Sequence, residues 1–284
     1  MPEGDTLARI ATVLAPALTG RRITAGRGRP GGAQLQRLVG STVESVEARG
    51  KHLLIAFSTG LTLHTHLGLH GSWHRYRSGE PWRRAASRAV AVLETDHSVA
   101  VCFDAPTVEL MDTRAVAIHP ALRSLGSDTA TIDFDVDAAL ARLRHESRAQ
   151  MAVGDALLDQ QAVAGFGNVY RSELCFLERI DPFAPVSAVS DAKLRAMLER
   201  GAGLIKANSA GGARVTTPAG TPGNLYVYGR TGRPCHRCRT RIQSRVTRAR
   251  EGSNPRRVYW CPACQTRRAE IGTGTISPLA PIRG

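Results

Sequence analysis

Apolar residues recur every three to four positions through DTLARIATVLAPAL, the spacing of one buried helix face, with Asp5 or Thr6 placed to cap its start. The period then drops to two. TVESVEARGKHLLIAFS, LTLHTHLGLHGSW, RAVAVLETDHSVAVCFD and TVELMDT alternate apolar with polar residues and are separated by short turns such as STG and TDH. That pattern predicts antiparallel strands packed as a sandwich. From about residue 131 the helical period returns, in DFDVDAALARLRHES, MAVGDALLDQQAVAG, NVYRSELCFLERI and SDAKLRAMLERGAGLIKANS. SAGGARVTTPAGTPGN, rich in Gly, Pro and Thr, reads as a flexible loop between units.

The chain is therefore expected to be an α+β multidomain protein. Residues 1–130 form an antiparallel β-sandwich with an N-terminal helix, and 131–224 a helical unit. Residues 225–268 form a compact basic module, and 269–284 a tail. No internal repeat is visible.

Charge narrows the partners. Lys and Arg number 38 against 24 Asp and Glu, a formal net charge of +14. Such an excess points to a polyanion, most often nucleic acid; a basic ribosome-associated or membrane-surface protein is the alternative. No apolar run approaches the ~18 residues of a membrane span, and no secretory leader is evident. A cytoplasmic location, with association to the bacterial nucleoid and reduced thiols, is the expectation. Only three basic residues are Lys: Lys51, Lys193 and Lys206. A chain that writes Arg so freely uses Lys where a compact or deprotonatable cation matters. Lys193 and Lys206 lie on a helical stretch and read as solvated; Lys51, at the start of an apolar strand, is the candidate functional one.

Cys235 and Cys238 form one C-x2-C pair and Cys261 and Cys264 another, with 22 residues between them. Two such knuckles in a reducing compartment predict one structural zinc ion held by four thiolates, with no open position for catalysis. Cys102 and Cys175 read as buried free thiols. Between Arg230 and Arg268 stand twelve Arg and one acid, Glu251, so a zinc-braced hairpin would present cations to a nucleic-acid backbone. Arg256 is the best placed of them. In LLDQQAVAGFGNVYRSE, Gly165, Gly167 and Asn168 form an elbow between helical stretches, where bare backbone N–H groups at a helix start could bind phosphate.

The ordered motifs MPEG, RGKHLL, HLGLHGSW, LLDQQAVAGFGNVYRSE and VYGRTGRPCHRC…YWCPACQ resemble the family of formamidopyrimidine-DNA glycosylases and endonuclease VIII, from Pro2 to about Gln265. The nearest branch is the bacterial, actinobacterial-like endonuclease VIII. The resemblance implies a β-sandwich, a helix–two-turn–helix domain and a zinc finger around damaged double-stranded DNA. It implies base-excision repair: a bifunctional DNA glycosylase and AP lyase that removes oxidised bases, here oxidised pyrimidines, and cleaves by β,δ-elimination. Pro2 would supply the amine nucleophile once Met1 is trimmed, Glu3 the general acid/base, Lys51 a contact beside the lesion, and Arg256 a phosphate clamp. His66, Gly167, Asn168 and Arg123 would contact DNA, and Leu69, with His70, would fill the space left by the flipped base. The chain departs from the endonuclease VIII opening PEGPE at Asp5 and Thr6, so no carboxylate stands at position 6. Its HLGLHG hairpin is closer to the formamidopyrimidine branch, so preference for oxidised purines is the alternative within the family. A non-catalytic damage-binding protein is the alternative outside it. A monomer is expected, since no dimerisation motif is seen.

Overall fold

The computed structural model describes residues 2–247 and 255–265. The expected tail, 269–284, and Glu251 lie outside the described residues.

Helix α1 (Gly4–Leu18) is capped by Glu3 and not by Asp5 or Thr6: the Glu3 carbonyl accepts the N–H groups of Thr6 (2.9 Å) and Leu7 (3.1 Å). Asp5 sits buried in the first turn because its carboxylate is needed elsewhere, as described below. Strands β1 (Ala25–Gly28), β2 (Val43–Arg49), β3 (His52–Phe57), β4 (Leu61–His66), β5 (Ser72–Arg77), β6 (Ala89–Glu94), β7 (Ser98–Phe103) and β8 (Thr107–Asp112) follow. They build two antiparallel four-stranded sheets, ordered β2-β3-β4-β8 and β1-β6-β7-β5.

The alternation read from the sequence is the reason these sheets face each other. Leu53, Ile55 and Phe57 of β3, Leu63 of β4, Ala91 and Leu93 of β6 and Ala100 and Cys102 of β7 are all buried in the core, joined by Leu7, Leu14 and Leu18 of α1. The opposite face of β7 is covered too: Val99, Val101 and Phe103 pack with Tyr76, Val92 and Trp82. A strand buried on both faces loses its polar positions, which explains the continuous run SVAVCF.

The helical unit contains α2 (Pro120–Arg123), β9 (Ser127–Asp128), α3 (Val136–Arg144), α4 (Val153–Ala156), β10 (Val163–Ala164), α5 (Asn168–Leu177) and α6 (Asp191–Ser209). Residues 151–165 are not helical throughout as expected; only the four residues of α4 are. Local hydrogen bonds divert the rest. The Asp159 carboxylate accepts the Gln161 N–H (3.1 Å), and the Gln160 amide donates to the Phe166 carbonyl (3.0 Å) while accepting from the Gly165 N–H (3.1 Å). Side chains that bond their own backbone compete with the helix ladder.

Strands β11 (Gln243–Thr247) and β12 (Arg256–Trp260) pair antiparallel as the C-terminal hairpin. They pack through Ile242 and Cys261 onto Phe176 of α5 and Val227. Cys102 and Cys175 are buried thiols as expected. No described helix is long and apolar enough to cross a membrane.

The segment leading to the hairpin is held by one buried carboxylate. Glu173 of α5 is fully buried and accepts the N–H groups of Tyr226 (2.8 Å), Val227 (2.9 Å) and Tyr228 (2.8 Å), plus the Thr216 hydroxyl. Replacing Glu173 with Ala strands three buried donors and should cost about 3–5 kcal/mol. Urea denaturation of the variant against the wild-type chain measures it; a loss below about 1 kcal/mol would contradict this role.

Candidate active site

The first residues of the chain reach across to the helical unit. Pro2 is partly buried and lines a cavity of about 470 Å³ with Asp5, Thr6, Leu69, His70 and Arg214. Glu3 turns the other way and is completely buried. Its carboxylate accepts the backbone N–H groups of Gly167 (3.1 Å), Val169 (2.9 Å) and Tyr170 (3.3 Å) at the start of α5. Next to it the Gly4 N–H donates to the Gly165 carbonyl (2.9 Å). Gly167 permits this approach: a Cβ there would lie 2.5 Å from the Glu3 carboxyl carbon.

This arrangement corrects the expectation of bare amides at the Gly167–Asn168 elbow. Those N–H groups are occupied by a carboxylate from the same chain, because the positive end of a helix attracts the nearest buried anion. The side chain of Asn168 is equally committed. It is buried, donates to the Arg257 carbonyl (2.9 Å) and accepts from Arg171 (2.6 Å). Arg171, itself buried, also donates to Asp155 (2.8 Å) and Thr247 (3.3 Å). The elbow thus ties the helical unit to both strands of the C-terminal hairpin.

Lys51 occupies the second position of the two-residue loop joining β2 to β3, where Arg49 pairs with His52. Gly50 takes φ +58° there, a conformation that L side chains resist, and its N–H donates to Asp128 (2.6 Å). The loop is therefore anchored to the helical unit and aims Lys51 into the cleft. Burial pushes the Lys51 pKa down to about 8; Glu3 opposes the shift, and Arg256 and Arg214 add to it. The same environment acts on His66, at the end of β4. Burial lowers its pKa, and Lys51, His64 and Arg256 lower it further. Glu3, Lys51, His66 and Arg256, far apart in sequence, are therefore near enough to shift one another's charge, and Pro2 adjoins Glu3 in the chain.

One contributor escaped the sequence reading. Arg214 donates two hydrogen bonds to Asp5 (2.7 and 2.5 Å), lies 3.7 Å from Glu3 and stacks 5.1 Å above the Tyr170 ring. Although burial opposes it, Asp5 and Glu3 hold the Arg214 proton more tightly than usual. The loop expected to be flexible is thus clamped to the N-terminus. Thr216 and Thr217 within it are buried, and the Thr217 hydroxyl donates to the Gly223 carbonyl (2.8 Å). One signal was present: Arg214 is the sole charged residue between 207 and 224.

Leu69 is half exposed at the turn between β4 and β5, on the cavity wall, and belongs to no core. Arg123 is exposed at the end of α2 and is not among the cavity-lining residues. Lys193 and Lys206 are exposed on α6.

The four cysteines converge at the base of the hairpin. Sγ separations are 3.9 Å for Cys235–Cys264 and 3.4 Å for both Cys238–Cys261 and Cys238–Cys264. Thiolates about 2.3 Å from one tetrahedral zinc ion stand about 3.8 Å apart, so the donor set fits a structural zinc. Gln265 closes the module onto α5's exit, accepting from the Cys261 N–H (2.8 Å) and donating to the Ile180 carbonyl (2.9 Å).

Comparison with known proteins places this geometry. Residues 1–117 match the model of the formamidopyrimidine-DNA glycosylase N-terminal domain, and residues 125–217 that of the formamidopyrimidine-DNA glycosylase H2TH domain. A probable endonuclease 8 2 of Streptomyces coelicolor is 39% identical over 267 residues, covering 93% of this chain and 94% of the relative. The DNA-(apurinic or apyrimidinic site) lyase Nei2 of Mycolicibacterium smegmatis is 37% identical over 267 residues, covering 94% and 99%. In fold, the chain is similar to Lactococcus lactis Fpg (MutM) in complex with N7-benzyl-Fapy-dG DNA. The TM-score is 0.78 at 24% identity, covering 94% of this chain and 100% of that one. It is similarly related to the same organism's Fpg with abasic-site DNA (TM-score 0.77, 23% identity, 93% and 100% covered).

The Lys51 environment makes a signed prediction. An anion in the cleft favours the ammonium form, so affinity for a duplex carrying a stable abasic-site analogue should fall as pH rises above about 8, by up to about tenfold per unit. Anisotropy titrations at fixed ionic strength should reveal a steeper limb in the wild type than in Lys51→Met, where only the N-terminal amine still titrates in that range. A Lys51→Met profile identical to the wild type would refute the assignment.

Proposed function

The chain belongs to the formamidopyrimidine-DNA glycosylase and endonuclease 8 family of DNA glycosylases and AP lyases, and from that premise we propose that it excises oxidised bases, chiefly oxidised pyrimidines, from duplex DNA through a Schiff base on Pro2. The observation that supports this most is the division of labour between neighbours. Glu3 is locked beneath α5 while Pro2 remains on the wall of the cavity, so the position of the reacting nitrogen is set by a buried ion contact one residue away.

With Met1 removed, Pro2 carries a secondary amine with a pKa near ~8, leaving a useful neutral fraction at physiological pH. Its lone pair attacks C1′ of the damaged nucleotide as the bond from C1′ to the base breaks, and the departing base takes up a proton. Loss of the amine proton and opening of the sugar ring give an iminium ion, which acts as an electron sink. Removal of a C2′ proton then expels the 3′ phosphate, and a second elimination expels the 5′ phosphate. Glu3 is assigned the proton transfers at the sugar, a role that requires its carboxylate to release at least one of its backbone N–H partners when DNA is bound. Lys51 and Arg256 supply the cations that receive the flanking phosphates, and His66, with its pKa lowered by the same environment, contacts them as a neutral hydrogen-bonding group. Asn168 acts on DNA indirectly, by fixing the β12 strand that bears Arg256, and Gly167 by admitting the Glu3 carboxylate. Leu69, held out at its turn, enters the duplex where the base has left. Four thiolates on one zinc ion brace the hairpin.

A second reading draws on one observation: Lys51, with its pKa pushed down to about 8, is itself an amine that could form the imine. Borohydride trapping on an abasic-site duplex, followed by mass mapping of the adduct, separates the two. The expected result is an adduct on the peptide beginning at Pro2 of the untagged chain, lost when an N-terminal extension blocks the amine. An adduct on Lys51 would transfer the role, and tight binding with no adduct would make the protein a damage binder. Parallel excision assays should favour thymine glycol over 8-oxoguanine; the reverse preference would place the chain with the purine-directed enzymes.

A further inference from the structure

Beside His66, one face of the β2-β3-β4-β8 sheet carries side chains that the reaction above does not use. His52 pairs with His66 across β3 and β4, and His64 pairs with Glu109 across β4 and β8. Side chains alternate along a strand, so these four share the face opposite Leu53, Ile55 and Leu63. His119, immediately before α2, is laid over the same face, with its ring 5.0 Å from that of His64.

The donor atoms are close. His64 Nδ1 lies 2.8 Å and His119 Nε2 3.3 Å from the same Glu109 oxygen, and one ligand atom from each residue falls within 4.8 Å of the others. Nitrogen and oxygen ligands about 2.0–2.1 Å from a tetrahedral zinc ion stand about 3.4 Å apart, so small side-chain movements bring the three donors onto one ion. We propose that His64, Glu109 and His119 form a second metal site, for a divalent transition ion of the zinc class, separate from the four cysteines.

Three further features support it. Imidazole and carboxylate are the ligand set such ions prefer. An imidazole bound to metal through one nitrogen needs a partner for the other, and His64 Nε2 already lies 2.8 Å from His52 Nδ1. The way in is open, since Glu109 is 47% and His119 20% exposed, which also leaves the fourth position to water.

The site has a route to the cleft. A metal on His64 Nδ1 obliges Nε2 to carry the proton and His52 Nδ1 to accept it. The His52 ring packs 4.9 Å from that of His66, the histidine whose charged neighbours are Lys51 and Arg256.

The full chain, stripped of metal and reloaded with excess Co2+, then gel-filtered, should retain two ions per chain by mass spectrometry. Its visible spectrum should combine intense thiolate charge-transfer bands with weaker bands from a nitrogen–oxygen site. His119→Ala and Glu109→Gln should each retain one ion, keep the thiolate bands, lose the weaker set and weaken the second ion's binding by more than about tenfold. His119 stands at a partly exposed helix start, so His119→Ala should fold as the wild type, which its thiolate bands report directly. One ion per wild-type chain, or a second ion held equally by both variants, would overturn the proposal.

Discussion

The position of the first residues of the chain depends on one buried contact, the Glu3 carboxylate set against the first turn of α5. Three charge-assisted hydrogen bonds meet the positive end of a helix there, with no solvent to weaken them. Losing one partner of such a buried arrangement costs about 3–5 kcal/mol, which makes the contact stiff. The stiffness is what matters for chemistry. A chain terminus is ordinarily the least ordered part of a domain, yet here residue 3 is held by three buried hydrogen bonds.

The same helix fixes the other side of the cleft. Asn168 in its first turn holds the β12 backbone, Glu173 in its middle holds residues 226–228, and Phe176 near its end packs under the cysteine module. Ten residues of α5 therefore set the separation between the N-terminus and Arg256. Arg214 adds a second brace, joining the segment after α6 to Asp5 and Glu3 together. Position 6 carries no carboxylate, and it is Asp5, one residue earlier, that takes the Arg214 guanidinium. Lys51 and Arg256 bring positive charge to the neighbourhood of Glu3, and that charge keeps His66 toward its neutral form.

What could be read from the sequence follows from which constraints leave a local trace. Sheet alternation did, because a strand with one buried face must repeat every two residues; so did the cysteine pairs, because a tetrahedral metal demands fixed ligand spacing. Lys51 was legible through the scarcity of Lys and through its motif. Arg214 and Asp5 were not, since an ion pair 209 residues apart imposes no period on either partner. Glu173 hid inside an amphipathic helix, where a Glu ordinarily marks the solvated face. The Gly167–Asn168 elbow was recognised as a helix start with amides to satisfy, but its ligand came from the other end of the chain. The sandwich and hairpin lay in local pattern; the joints between them lay in long-range pairs.

The claim that the Glu3 joint controls the reacting end can be tested without altering Pro2 or Glu3. Gly167→Ala places a methyl group where the Glu3 carboxyl now sits. Borohydride trapping of this variant on an abasic-site duplex, measured beside its melting temperature, is the most direct experiment. The account predicts a chain that still folds, melts lower and traps at least about tenfold more slowly, since small displacements of a reacting group carry costs of that order. Wild-type trapping in a variant whose melting point has fallen would contradict it, and would mean that Pro2 finds its position without the joint.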